Sequence, residues 1–195
     1  MLKRCKFEPS IAEVMEEWYA IVRENRRPQV FRPGPAQTVP QRHINRLKDT
    51  RQALLEGRPI EGLNLSKELI RFYHICDQAN QTECDLFVSI HFNAYNGRAS
   101  GTETLISGST GSLMLGHCIQ TNLKAVLNLP NRGLKERPGL CVLRNTVMPA
   151  VLVEVCFIDN DFDWRRYDAH RDEAARAIAT GIIQYPHQMQ GAQAA

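Results

Sequence analysis

Several things are scarce in this 195-residue chain, and each scarcity excludes something. No apolar run approaches the roughly 20 residues of a membrane-spanning helix, so a helical membrane protein is not expected. The six cysteines (Cys5, Cys76, Cys84, Cys118, Cys141 and Cys156) include no Cys-x-x-Cys pair. Most of them sit among apolar neighbours, as in Leu-Cys-Val-Leu around Cys141 and Val-Cys-Phe around Cys156. That pattern reads as buried thiols and excludes a disulfide framework. Charge of either sign is nearly balanced, with a formal net charge of +3, too small an excess to argue for a nucleic-acid partner. The basic residues Lys3, Arg4 and Lys6 are not followed by an apolar stretch, so no secretory signal is visible. Internal repeats are absent.

What is present is ordinary globular material: 43% hydrophobic and 23% charged residues, enough to build one sizeable core. The periodicity predicts a helix over residues 7–27, where Ser10 and Glu13 have capping-box spacing. An extended piece (28–32), a Pro/Gly loop (33–40), a charged surface helix (41–57) and a connection (59–64) are expected next. From residue 65 the pattern sharpens. Ser66 is placed to cap a helix with Leu69, Tyr73 and Cys76 on one face. Residues 85–92 (DLFVSIHF) read as a buried strand, 102–106 as a second, and 111–127 as a helix ending before Pro130. Residues 140–144 and 150–155 read as two further apolar strands, and about 169–185 as a last helix with a frayed tail. Strands alternating with helices give an α/β fold: one domain with a mostly parallel or mixed open sheet, flanked by helices on both faces.

Two polar groups interrupt the apolar strands. His91 closes Leu-Phe-Val-Ser-Ile, and Glu154 lies inside Val-Leu-Val-Glu-Val-Cys-Phe. A carboxylate in such a strand is costly unless it is paired, metal-bound or functional. Strand ends are where open α/β sheets collect ligands, so the two could share one cleft. They could equally be a core histidine bonded to backbone and a glutamate paired with an arginine such as Arg144.

The segment Cys84-Asp-Leu-Phe-Val-Ser-Ile-His-Phe-Asn-Ala94 resembles the Ser-Ile-His-x-Asn-Ala motif of the zinc-dependent N-acetylmuramoyl-L-alanine amidases. Gly101-Thr-Glu-Thr-Leu105, Asn131-Arg-Gly-Leu-Lys135, Val142-Leu-Arg144, Met148-Pro-Ala-Val-Leu-Val-Glu154 and Phe157-Ile-Asp-Asn160 follow in the family's order. The likeness covers about residues 66–185. It implies a peptidoglycan hydrolase with a catalytic zinc (Zn2+) held by two histidines and a glutamate. His91 matches the second histidine ligand, and Glu154 matches the catalytic glutamate, which is not itself a ligand. It also implies a peptidoglycan (muropeptide) substrate; with the small net charge and no visible signal, the expectation is no nucleic acid and a chain made in the cytoplasm that acts at the bacterial cell wall once released, as a phage-type endolysin does. The small positive charge does not oppose approach to an anionic wall.

The amino-terminal third departs from the family pattern. The family's first strand ends in an Asp-x-Gly-His-Gly-like motif, and this chain has no Gly-His pair before residue 91. Its earlier histidines are His43 and His74. Glu8 and Glu13 fall near the position of the glutamate ligand, and His43 is the candidate for a displaced histidine. The chain accordingly divides into a divergent part (1–65), an amidase-like core (66–187) and a disordered tail (188–195). The competing reading is a metal-poor relative serving as a peptidoglycan-binding or regulatory module. A thiol hydrolase using Cys156, two residues from Glu154 on the same strand face, is a further alternative. A zinc site from His74, Cys76 and Cys84 lacks the usual ligand spacing. Arg26-Arg27 and Arg165-Arg166 read as solvated helix faces.

Overall fold

Alternation within two apolar strands sets up the fold. In residues 87–92, Phe87 packs into one apolar cluster while Val88 and Phe92 enter another. In residues 150–153, Ala150 and Leu152 join the first cluster and Val151 and Val153 the second. Period-two side chains of this kind give a sheet with two buried faces, each requiring a layer of helices.

A computed structural model of the chain describes residues 18–20, 41–58, 65–82 and 84–193, with the backbone alone at 18–20, 42–44, 46, 65–71 and 186–193. In chain order the elements are β1 (Trp18–Ala20), α1 (Gln41–Leu55), α2 (Leu65–Gln81), β2 (Phe87–Asn93), β3 (Thr102–Ile106), α3 (Thr110–Leu127), β4 (Asn131–Glu136), α4 (Cys141–Arg144), β5 (Ala150–Phe157) and α5 (Asp161–Gln193). Among the described residues the strands form one mixed open sheet of order β1-β2-β5-β3-β4. The pairs β2–β5 and β3–β4 are parallel, and β1–β2 and β3–β5 antiparallel. Leu47 of α1, Leu115, Ile119 and Leu123 of α3, and Tyr167 and Ile178 of α5 fill one face. Cys76 and Ala79 of α2, with Val142 and Leu143 of α4, fill part of the other.

Local chemistry fixes the helix ends nearest the strands. Ser109 caps α3 by accepting from the Ser112 amide, and Asn128 closes it in the left-handed region with φ 49°. Asn160 caps α5, its Oδ1 accepting from the amides of Phe162 (2.9 Å) and Asp163 (3.1 Å). Close helix packing needs Gly181, where an added Cβ would stand 2.6 Å from the Cα of Ile119 on α3.

The α/β fold with helices on both faces matches the expectation, and several elements within it do not. The helix expected over 7–27 contains the strand β1, whose backbone pairs with the edge of β2; tertiary pairing overrides helical periodicity there. The rest of 7–27, and residues 28–40, lie outside the described residues. Helix α1 is more than a surface helix, since Leu47 and Ala53 are buried. Tyr73 is exposed while Cys76 is buried, so the two do not share the inner face of α2. The apolar run 140–144 forms the short helix α4, closed by Asn145, whose amide and Nδ2 both donate to the Cys141 carbonyl. A run this short does not distinguish helix from strand by pattern. Strand β4 was unforeseen because it is largely solvated and carries little apolar signal. Helix α5 begins eight residues before the expected start, kinks at His170 and runs to Gln193.

Candidate active site

The register of three strands assembles the site. His91 on β2 pairs with Glu154 on β5, and Glu154 pairs in turn with Glu103 on antiparallel β3. Three adjacent strands therefore carry His91, Glu154 and Glu103 in one row, with neighbours separated by roughly 4.8 Å. Because β2 and β5 run parallel, His91 and Glu154 both lie toward their carboxyl ends, where α/β sheets place ligands. All three are buried, with exposures of 2% for His91, 5% for Glu154 and 8% for Glu103.

The side chains around the row hold it in place. The Ser89 hydroxyl lies 2.8 Å from Nε2 of His91, and both are buried. Glu103 is engaged at both oxygens: Nδ2 of Asn93 donates to Oε1 at 3.0 Å, and Nε of Arg132 donates to Oε2 at 2.8 Å. The Arg132 guanidinium also stands over the Phe157 ring, 5.0 Å from its centroid. A buried carboxylate needs such partners, because desolvation of an unpaired charge is prohibitive.

A bulge in β5 decides the fate of Cys156. The pairing steps from His91–Glu154 to Asn93–Phe157, so β5 contains one extra residue there. Cys156 is thereby turned into the cluster of Val151 and Val153, away from the face that carries Glu154. Burial pushes its thiol well above the ordinary range, and the negative charges of Asp163, Glu154 and Asp159 push it further. A thiol that resists ionisation is a poor nucleophile, so the thiol-hydrolase alternative fails.

The loop joining β2 to β3 is clamped from the start of α5. Asp159 accepts from the amides of Tyr95 (3.0 Å) and Gly97 (2.8 Å), and Asn160 donates to the Ala99 carbonyl. Fully buried Asp163 accepts from Ser100 Oγ (2.5 Å), the Gly101 amide (2.8 Å) and the Phe157 amide (3.0 Å). This one carboxylate ties the end of β5, the start of β3 and the first turn of α5 together. Sequence reasoning had no role for Asn93, Glu103, Arg132 or Asp163. The available signal was Glu103 within Thr-Glu-Thr-Leu-Ile, a carboxylate in a strand just like Glu154.

Among the described residues, no three of His, Cys, Asp and Glu come together to hold a metal. His74 is exposed on α2 while Cys76 and Cys84 are buried, so that trio forms no site. The buried imidazole of His91 is a donor that fits one position of a zinc site, and the Glu154 carboxylate beside it is the group the family likeness assigns to proton transfer, not to the metal. Any further ligands lie outside the described residues. Glu8 and Glu13 lie outside the described residues, as does the side chain of His43, whose backbone belongs to α1.

Comparison with known proteins places the fold in a family. The chain is 35% identical over 146 residues to an endolysin of Bacillus phage SPP1, covering 68% of this chain and 53% of the endolysin. It is 34% identical over 130 residues to the N-acetylmuramoyl-L-alanine amidase LytC of Bacillus subtilis, covering 62% of this chain and 26% of that protein. It thus spans about half or less of the length of these relatives. The catalytic domain of an endolysin targeting Clostridia Difficile superposes with a TM-score of 0.57 at 27% identity, covering 72% of this chain and 79% of that one. Residues 62–184 match the N-acetylmuramoyl-L-alanine amidase family along most of the sheet and its helices, and the chain belongs to that family.

Proposed function

We propose that this chain is a peptidoglycan hydrolase that cleaves the amide bond between N-acetylmuramic acid and L-alanine at the bacterial cell wall. The observation that carries the reading is the register pair His91–Glu154, an imidazole and a carboxylate side by side in a buried row at the carboxyl ends of parallel strands. Amide hydrolysis needs a base for the attacking water and an acid for the departing amine. Glu154 serves as both in turn. The water oxygen bonds to the lactyl carbonyl carbon while Glu154 takes a water proton. The carbon–nitrogen bond then breaks, and Glu154 passes the proton to the L-alanine nitrogen, leaving a carboxylic acid and a free amine. His91 would hold the zinc that family membership implies, and such an ion supplies Lewis-acid activation of water and carbonyl. The Arg132–Glu103–Asn93 network supports the row from its far side.

A second reading, a metal-poor binding or regulatory module, is favoured by the donor count among the described residues, since catalytic zinc usually has three protein ligands. Zinc analysis of the purified chain, with stem-peptide release from purified cell walls, separates the two. Near one zinc per chain, with release lost in Glu154→Ala, supports the hydrolase. Undiminished release by Glu154→Ala removes Glu154 from the mechanism. No zinc and no release leaves the binding module.

A further inference from the structure

Arg132 is built to do more than neutralise Glu103. The β3–β4 pairing steps from Thr102–Asn131 to Glu103–Gly133, which makes Arg132 the extra residue of a bulge, followed by Gly133 at φ +74°. Bulges beside active sites re-aim a side chain, and this one turns Arg132 toward the row of Glu103, Glu154 and His91. Its aliphatic stem runs past Gly101, where a Cβ would stand 2.9 Å from both Cγ and Cδ. Its guanidinium is fixed by Glu103 at Nε and by the Phe157 ring. Among the described residues no acceptor is bonded to either Nη, and the side chain is 39% exposed. The fork is held rigidly at one edge and faces solvent at the other.

We infer that Arg132 binds a carboxylate of the stem peptide beyond the scissile bond and so sets which stems are cut. The inference rests on the amidase reading above. A planar guanidinium takes a carboxylate through two parallel N–H donors, and a pre-positioned one loses little entropy in doing so. Two strand spacings separate β5 from β4, roughly 10 Å. An extended peptide covers about 3.5 Å per residue, so the recognised carboxylate lies about two or three residues past the bond handled by Glu154. A stem peptide with free carboxylates supplies that group, whereas one whose carboxylates are amidated does not.

The test uses two soluble muramoyl-peptides identical except that the stem carboxylates of one are carboxamides. Wild type is expected to favour the free acid by about tenfold or more in kcat/KM, carried by KM. Arg132→Gln should erase that preference, and Arg132→Lys should restore part of it. A preference unchanged in Arg132→Gln overturns the inference, as does an equal fall on both substrates, which is what a merely structural role produces. Calorimetry of the two free stem peptides on Glu154→Gln, with and without Arg132→Gln, reads binding without turnover. If wild type cleaves neither substrate, the amidase reading fails, yet carboxylate-dependent binding lost with Arg132→Gln still upholds the site. Absence of such binding overturns it.

Discussion

Glu103 and Glu154 face each other across the antiparallel β3–β5 pair, two buried carboxylates at one level of the sheet. Glu103 is committed at both oxygens, to Asn93 and Arg132, and so serves as a fixed, neutralised anion. Glu154 stands between it and His91, so Glu103 organises the row, and Glu154 is the one to which the proposed mechanism gives the protons.

Glu154→Gln preserves shape and removes the proton acceptor. Release of stem peptides is expected to fall by about 10²–10⁴-fold, the usual worth of a positioned acid–base group. The melting temperature should stay close to that of wild type. Turnover within a few-fold of wild type would remove the role assigned to this residue.

His91→Ala should lower the zinc content of the purified chain, whether or not the chain is active. His74→Ala, a change on the exposed side of α2, is the control and should leave metal content unaltered. Equal zinc in both variants would mean that His91 is not a ligand.

Gly101→Ala asks the backbone for two things it cannot give. The residue has φ +122°, and the new Cβ would stand 2.4 Å from the Pro130 carbonyl oxygen and 2.9 Å from Arg132. A loss of about 1–3 kcal/mol in denaturant unfolding is expected. A change below about 0.5 kcal/mol, the range of neutral surface substitutions, would show that the β3–β4 edge yields easily.

Asp163→Ala leaves the Gly101 and Phe157 amides and the Ser100 hydroxyl without their acceptor. Stability should fall by about 2–5 kcal/mol, and limited proteolysis should cut the 94–101 loop first. Wild-type resistance to protease in that loop would contradict the clamp.

Burial and neighbouring negative charge raise the Cys156 thiol well above its ordinary range, and burial also raises the Tyr167 hydroxyl. The unfolded thiol ionises at about pH 8.5 while the folded one stays protonated, so the unfolded state loses protons first. Stability is thus fully present below about pH 8.5 and declines as pH rises above it. Melting temperatures from pH 7 to 10 test this, and Cys156→Ala should flatten part of the decline. The native chain should also resist thiol reagents at neutral pH, and rapid modification of Cys156 would show that its surroundings open.

Legibility in the sequence followed apolar pattern. Strand β3 lies where the bounding glycines at 101 and 108 put it, and β2, β5 and α3, rich in buried apolar residues, differ by a residue or two at their ends. Strand β4 was hidden because its residues are mostly solvated, and β1 because its pairing is made with a segment about 70 residues away. Of the site, His91 and Glu154 could be singled out as polar residues in strands that otherwise bury apolar side chains. Their partners could not, since Arg132 reaches Glu103 through a bulge that no local pattern announces.

By itself the sequence determined the element types of β2, β3, α3 and β5, the burial of most cysteines in apolar surroundings and the two residues most out of place in their strands. These are local matters of periodicity and of the cost of burying charge. Only the tertiary structure decided that β5 lies between β2 and β3, which puts Glu154 between His91 and Glu103. It likewise decided that Cys156 turns away from Glu154 and that Arg132 turns toward Glu103. Strand order and register depend on pairing between segments tens of residues apart, and a single extra residue reverses the face that every later side chain occupies.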